Sequence, residues 1–338
     1  MKDTSSLQES EWVDGHLDIA YLAESGRDCT VRCPDPDQGC LSFPDLHDAP
    51  VRIALATIFT EAKAPGQPAG YIDSADVEGA SAAGRCQLAW YQSMESRGFV
   101  TIIRSRADLD RALVVPRDRA PLAVVLLMEC ADPMRSPDEV SWWFEQGVRV
   151  VGLSWAYGSR YSGGNSAGGG ITPLGRDLVA AFDALGILHD VSHLSDASFD
   201  DLLALTTRRV VATHSNCRAL LPPKERHLTD TQINAIGARD GLVGLNLFGL
   251  FLASEREATI EDCMRHVEHV AGLIGPERTG LGSDLDGGFT PKQLPIGLRH
   301  PRDYRVLAEG LGARSWSAAH IAGFRAANWL RILRSTLQ

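Results

Sequence analysis

Along most of the chain, short runs that are apolar at nearly every position alternate with longer stretches in which apolar residues recur every three or four positions. A run apolar on both faces fits a parallel strand covered on both sides, and the longer period fits a helix with one buried stripe. The pattern predicts eight strands, at residues 12–19, 52–60, 122–129, 148–155, 187–193, 210–215, 242–248 and 279–286. It predicts helices over 72–97, 174–185, 197–205, 260–273 and 316–333. Ser136-Pro137-Asp138-Glu139 and Thr229-Asp230-Thr231-Gln232 each carry the capping-box signature of a helix start.

Alternating strands and helices make a parallel sheet with right-handed crossovers, and eight such units predict a closed α/β barrel, (β/α)8 of the TIM type. A length of 338 residues would also accommodate two domains, but the sequence shows no internal repeat and no linker. One barrel domain is expected over 1–338, with the barrel at about 11–335 and residues 1–10 as a flexible N-terminus. A Pro/Asp-rich stretch at 29–50 reads as a long first loop, and a Gly/Ser-rich one at 158–170 as a mobile rim loop after the fourth strand. The second lacks the Gly-Lys-Ser/Thr ending of a phosphate cradle.

Composition narrows the function. With 44% apolar residues the chain is neither disordered, collagen-like nor a coiled coil. Its 43 acidic against 33 basic residues give a net charge of −10, and no Lys/Arg run is present, which argues against nucleic acid as a partner. No apolar run approaches the roughly 18 residues of a spanning helix, and the polar start has no signal-peptide segment, so no membrane partner and a cytoplasmic location are expected. Seven cysteines, an odd number at irregular spacings, fit reduced thiols; Cys29, Cys33 and Cys40 leave a small zinc loop as a minor alternative.

The residues capable of chemistry stand at the strand ends, where barrel active sites are built. His16-Leu17-Asp18 closes the first strand, and residues two apart on a strand point to the same side. Glu129, His193, His214 and Asp284 close four of the others. Taken singly, each is more often structural: a solvated charge, a helix cap, a satisfied core histidine. Glu129 follows seven apolar residues, however, and a lone buried carboxylate is costly without a cation. Together the six side chains are enough for two divalent cations sharing a carboxylate, and imidazole with carboxylate suits zinc, while manganese, cobalt and iron are also accepted.

Eight stretches then occur in a recognisable order: Asp14-Gly-His-Leu-Asp18, Leu127-Met-Glu129, Gly147-Val-Arg-Val-Val-Gly-Leu153, Asp190-Val-Ser-His-Leu-Ser195, Thr213-His-Ser-Asn216, Arg226-His-Leu-Thr-Asp230, Gly282-Ser-Asp-Leu-Asp-Gly287 and Asn328-Trp-Leu-Arg331. In these the chain resembles, over nearly its whole length, the membrane dipeptidase family (renal dipeptidase and its bacterial relatives, peptidase family M19), binuclear metal hydrolases on (β/α)8 barrels. The resemblance implies a dipeptidase with two divalent cations, zinc first among them, that hydrolyses dipeptides, including those with a C-terminal D-residue, through a metal-bridging hydroxide. It implies that His16 and Asp18 hold one cation, His193 and His214 the other, and Glu129 both. Asp284 would shuttle the proton, Arg226 would grip the substrate carboxylate, and the assembly would be a homodimer. Two positions depart from the family pattern: Trp155 stands where many members have a substrate-contacting histidine, and Phe248 where the renal enzyme has a tyrosine. Both are expected at the substrate with altered specificity. His189, two before His193, is expected to be structural. The competing readings are another binuclear amidohydrolase acting on a lactone, cyclic amide or phosphoester, and a catalytically inactive binding barrel.

Overall fold

The computed structural model of the protein describes residues 10–62 and 66–338; the expectation for residues 1–10 lies, Ser10 apart, outside them. Eight parallel strands form the barrel: β1 (Trp12–Leu17), β2 (Val51–Ile58), β3 (Leu122–Met128), β4 (Val148–Gly152), β5 (Leu188–Asp190), β6 (Val210–Val211), β7 (Val243–Leu245) and β8 (Thr279–Leu281). Each pairs with its neighbour in chain order, and β8 returns to β1 through Asp14 opposite Leu281. Between β6 and β7 the join is the Ala212–Val243 bridge, carried by Ala212 N–H to Leu242 O at 2.9 Å and Gly244 N–H to Ala212 O at 2.8 Å. A ninth strand, Val100–Ile102, which the sequence pattern did not single out, pairs with the first half of β3.

Alternation along the strands decides what faces the axis. Ile53 and Leu55 of β2 and Ala123, Val125 and Leu127 of β3 pack inside with Val13, Val150, Leu188 and Val211, above Trp329. Ala54, Ala56 and Ile58, and Val124, Leu126 and Met128, pack outward with the helices. The same period of two carries Thr57 and Glu129 inward at the C-terminal end. In β1 the register shifts between Asp14 and Leu17, an irregularity of the kind that re-aims side chains near active sites.

Several strands are shorter than their apolar runs, because beyond the ladder side chains take over the backbone bonds. Asp190 Oδ1 accepts the N–H of Ser192 and of Thr213, both at 3.0 Å. Asp14 accepts Ser283 N–H at 2.8 Å and Tyr304 Oη–H at 2.6 Å. The chemistry-bearing residues 191–193, 212–215 and 282–286 thus lie in loops rather than in strands.

Helices at Val77–Ser96, Pro173–Leu185, Asp196–Leu205 and Ile260–Ile274 match expectation within a few residues. The Thr229 capping box forms with both its bonds, whereas Ser136 makes no side-chain cap and its segment starts as a 3-10 turn, with Glu139 taken by Arg135. The expected last helix is interrupted by a π-helical segment, Gly323–Ala327. Past it, Asn328 Nδ2 donates to Pro276 O and Thr279 O, and Trp329 Nε1 to Leu281 O at 2.8 Å, so the wider turn aims both side chains at the base of β8.

Candidate metal centre

Glu129 sits at the end of β3 with both carboxylate oxygens engaged. Oε2 lies 3.4 Å from His16 Nε2; Oε1 lies 3.3 Å from His193 Nε2 and 3.4 Å from His214 Nε2. Asp18, just past β1, places Oδ1 3.6 Å from His16 Nε2 and accepts a hydrogen bond from Thr57 Oγ1. The donor atoms of His16, Glu129 and His214 lie within 4.8 Å of one another, as do those of His16, Asp18 and Asp284. The rings of His16 and His214 stack at 3.6 Å. All six side chains are buried or nearly so.

The protons of this cluster can be placed. Thr213 Oγ1 is 2.5 Å from Asp190 Oδ2 and 2.9 Å from His214 Nδ1. A hydroxyl has one proton; given to the carboxylate, it leaves an oxygen lone pair that accepts Nδ1–H of His214. Asn165 Oδ1, 3.1 Å away, likewise accepts from His193 Nδ1. Both Nε2 atoms then carry lone pairs, and they face each other at 3.0 Å. Two acceptors at that distance repel unless a cation lies between them. His16 Nε2 is buried with no hydrogen-bond partner. An orphaned imidazole nitrogen and convergent lone pairs are what a divalent cation satisfies.

Electrostatics agree. Burial would raise the pKa of Glu129, but the charge of His16 beside it outweighs burial and holds it well below the usual range. Burial would lower that of His16; the charges of Glu129 and Asp18 instead raise it well above normal. Burial depresses His193 to about 4, and His214 well below its ordinary value, so both are neutral at pH 7. Asp284 is pushed up to about 8, by burial first and then by Asp18 and Glu129. Its Oδ2 accepts Asn246 Nδ2–H at 2.8 Å.

The backbone bends to deliver these groups. His193 and Asp284 adopt left-handed φ values of 65° and 59°, unusual for non-glycine residues and the kind of strain found at functional sites. Asp286, also left-handed, accepts Cys40 N–H and Leu41 N–H at 2.9 and 3.0 Å and pairs with Arg27, which straps the 29–50 loop to the end of β8. A Cβ at Gly287 would stand 2.0 Å from Asp284 Oδ1 and 2.9 Å from Asp18 Oδ2; glycine lets the carboxylates approach.

A cavity of about 280 Å³ opens above the cluster, lined by Asp18, Glu129, His193, His214 and Asp284 and by the aromatic rings of Tyr21, Phe59, Trp155, Phe248, Phe251 and Phe289. Trp155 packs edge-on against Phe59 at 5.3 Å, and Phe248 stacks on Phe289 at 4.7 Å. Arg226 is buried beside the cavity rather than in its lining: it donates to Ser215 Oγ at 2.9 Å and His214 O at 2.7 Å, 5.1 Å from the Phe251 ring. His189 pairs with Asp183 at 2.8 Å. Cys29, Cys33 and Cys40 belong to neither donor group found among the described residues. The sequence reading missed Asn165, Thr57, Thr213 and Asn246, which hold the donors. The 158–170 loop, read as a mobile rim, contains the hairpin Ser162–Gly164/Gly168–Ile171 whose tip presents Asn165.

Barrel and donor set together define a metal-dependent hydrolase. The chain belongs to the membrane dipeptidase family, peptidase family M19, whose family model matches residues 2–338. It is 25% identical to dipeptidase AC, an M19 metallopeptidase of known structure, over 98% of this chain and 99% of that one, with a TM-score of 0.84. It is 26% identical to a Rhodobacter sphaeroides metallopeptidase solved with a phosphinate mimic of the dipeptide L-Ala-D-Ala, covering 96% and 99% at a TM-score of 0.83. An uncharacterized protein in the pqqA 5' region of Klebsiella pneumoniae is 30% identical over 72% of this chain and 91% of its own length. The protein is thus a metallo-dipeptidase of the M19 family. No helix among the described residues is long and apolar enough to cross a membrane.

Proposed function

We propose that His16 and Asp18 hold one divalent cation, His193 and His214 a second, and that Glu129 bridges the two, with zinc as the metal. The carrying observation is the division of Glu129, one oxygen toward His16 and the other toward His193 and His214. When bound, such cations supply Lewis acidity and lower the pKa of water from 15.7 toward ~7. The rest falls to the chain. Asn246 occupies Oδ2 of Asp284, so Oδ1 is the oxygen free to take a proton and pass it to the leaving amine. Arg226, with two of its nitrogens bonded to protein and Nε unspent, supplies positive charge for the substrate's terminal carboxylate. Trp155 and Phe248 give the substrate apolar walls in place of an imidazole and a phenol.

The mimic bound by the Rhodobacter protein supports L,D- as well as L,L-dipeptides as substrates here. Seven free thiols, five of them buried, support a reducing compartment, and we assign the cytoplasm. We carry a homodimer on family resemblance, and one barrel domain over residues 1–338. Native mass spectrometry after zinc loading tests count and assembly together: two cations per chain and a mass near twice 36.6 kDa are expected. One cation per chain would remove the bridging role, and a monomer the assembly.

A further inference from the structure

Of the four carboxylates lining the cavity, three are matched: Asp18 by Thr57, Glu129 by three imidazoles, Asp284 by Asn246. The fourth, the side-chain carboxylate of Glu61, has neither hydrogen bond nor ion pair among the described residues, although the residue is half-buried. Building on the dipeptidase reading, we propose that Glu61 is a specificity-determining residue that pairs with a cation, an alkylammonium or guanidinium, carried by the N-terminal residue of the substrate.

Three further observations point the same way. The segment is held firmly: Gln87 clamps the Phe59 backbone from both sides, at 2.8 Å to its N–H and 2.7 Å to its carbonyl, and Glu61 N–H donates to Ala69 O at 3.0 Å. The adjoining wall is aromatic, with Phe59 edge-on to Tyr21 and to Trp155, both at 5.3 Å, and ring faces attract cations. Finally, burial disfavours the ionised form of Glu61, and a substrate cation beside it offsets that cost. Arg226 lies within electrostatic reach of Asp284, Glu129 and Asp190, whereas burial and Glu129 are what act on Glu61. A positive group, Arg226, thus stands beside the cavity, and its lining carries a negative one with no partner among the described residues, which suits a zwitterion.

The cation has two sources, the α-ammonium of any dipeptide or a basic N-terminal side chain, and binding separates them. Phosphinate mimics of Lys-Ala, Glu-Ala, Ala-Ala and N-acetyl-Ala-Ala are titrated calorimetrically into the zinc-loaded full chain and into Glu61→Gln. If the side chain is read, wild type binds the Lys mimic roughly tenfold tighter than the Glu mimic, and Glu61→Gln brings the two together. If the α-ammonium is read, Glu61→Gln weakens the Ala-Ala mimic roughly tenfold and leaves the N-acetyl mimic unchanged. The proposal is overturned if the substitution leaves both ratios unchanged within about twofold, or if no mimic binds wild type. Shifted ratios without cleavage of any matching dipeptide would support Glu61 and overturn the dipeptidase reading alone.

Discussion

Thr213 offers no metal donor, yet its single hydroxyl proton orders the centre. Given to Asp190, that proton obliges His214 to keep its own on Nδ1 and turn the Nε2 lone pair toward Glu129. Thr213→Val, which keeps shape and removes the hydroxyl, is expected to weaken zinc binding 10–100-fold, as losses behind a ligand commonly do, while Thr213→Ser retains most of it. Competition with a chromogenic chelator measures both; equal losses would show that the methyl, not the proton, matters. Protons also make loading pH-dependent. Asp284 at about 8 and His16, raised well above its ordinary value, are protonated in the metal-free chain at pH 7, whereas His193 and His214 are already neutral. Loading at pH 7 should therefore release protons, fewer as the pH rises past 8 and Asp284 loses its own. Calorimetry in buffers of different ionisation enthalpy reads this; release that is absent at pH 7 or grows above pH 8 would contradict the assignment. The candidate donors that the structure brings together were legible in sequence because His, Asp and Glu at the ends of apolar runs are conspicuous. Thr57, Asn165 and Asn246 were not, since a hydroxyl or amide that orients a ligand looks like any other until the chain brings it there.

At the scale of elements, the strand ends deliver the chemistry. Gly287 follows β8, where a methyl would meet Asp284 Oδ1 at 2.0 Å. Gly287→Ala should cut kcat/KM at least tenfold while shifting Tm by only a few degrees, because the clash falls on a carboxylate at the cavity and not on the core. A large Tm loss would place Gly287 in the fold's support instead. The eight strands were readable because both faces are covered, which leaves continuous Val/Ile/Leu runs. Their ends were less so: at Asp14 and Asp190 side chains replace ladder bonds, and apolar patterning does not register that change. The π-helical segment before Asn328 and the helix Arg106–Val114 went unseen for a similar reason, the first depending on a partner at β8 and the second being short with little buried surface.

For the whole molecule, the net charge of −10 takes on a local meaning. Asp18, Glu129 and Asp284 crowd one end of the barrel, with the 29–50 loop strapped over by Asp286. The proposed zinc would bind the folded chain through groups that only the fold assembles, and is then expected to stabilise it by mass action, by about 2.7 kcal/mol at a hundred times its Kd. Thermal melts with increasing zinc should move upward, and a melt unmoved by zinc would deny that the cluster is a metal centre. Barrel closure, expected from eight alternating units, is completed by the backbone bonds between β6 and β7, a contact that eight strand patterns are compatible with but do not by themselves require.

The central claim is that a Glu129-bridged metal centre hydrolyses dipeptides, and kcat/KM for L-Ala-D-Ala and L-Ala-L-Ala, zinc-loaded, in wild type and Glu129→Ala tests it most directly. The account predicts cleavage of one or both by wild type and a loss of at least about a thousandfold, or ~4 kcal/mol, in the variant. Cleavage of neither by wild type, or activity retained in Glu129→Ala, would contradict it.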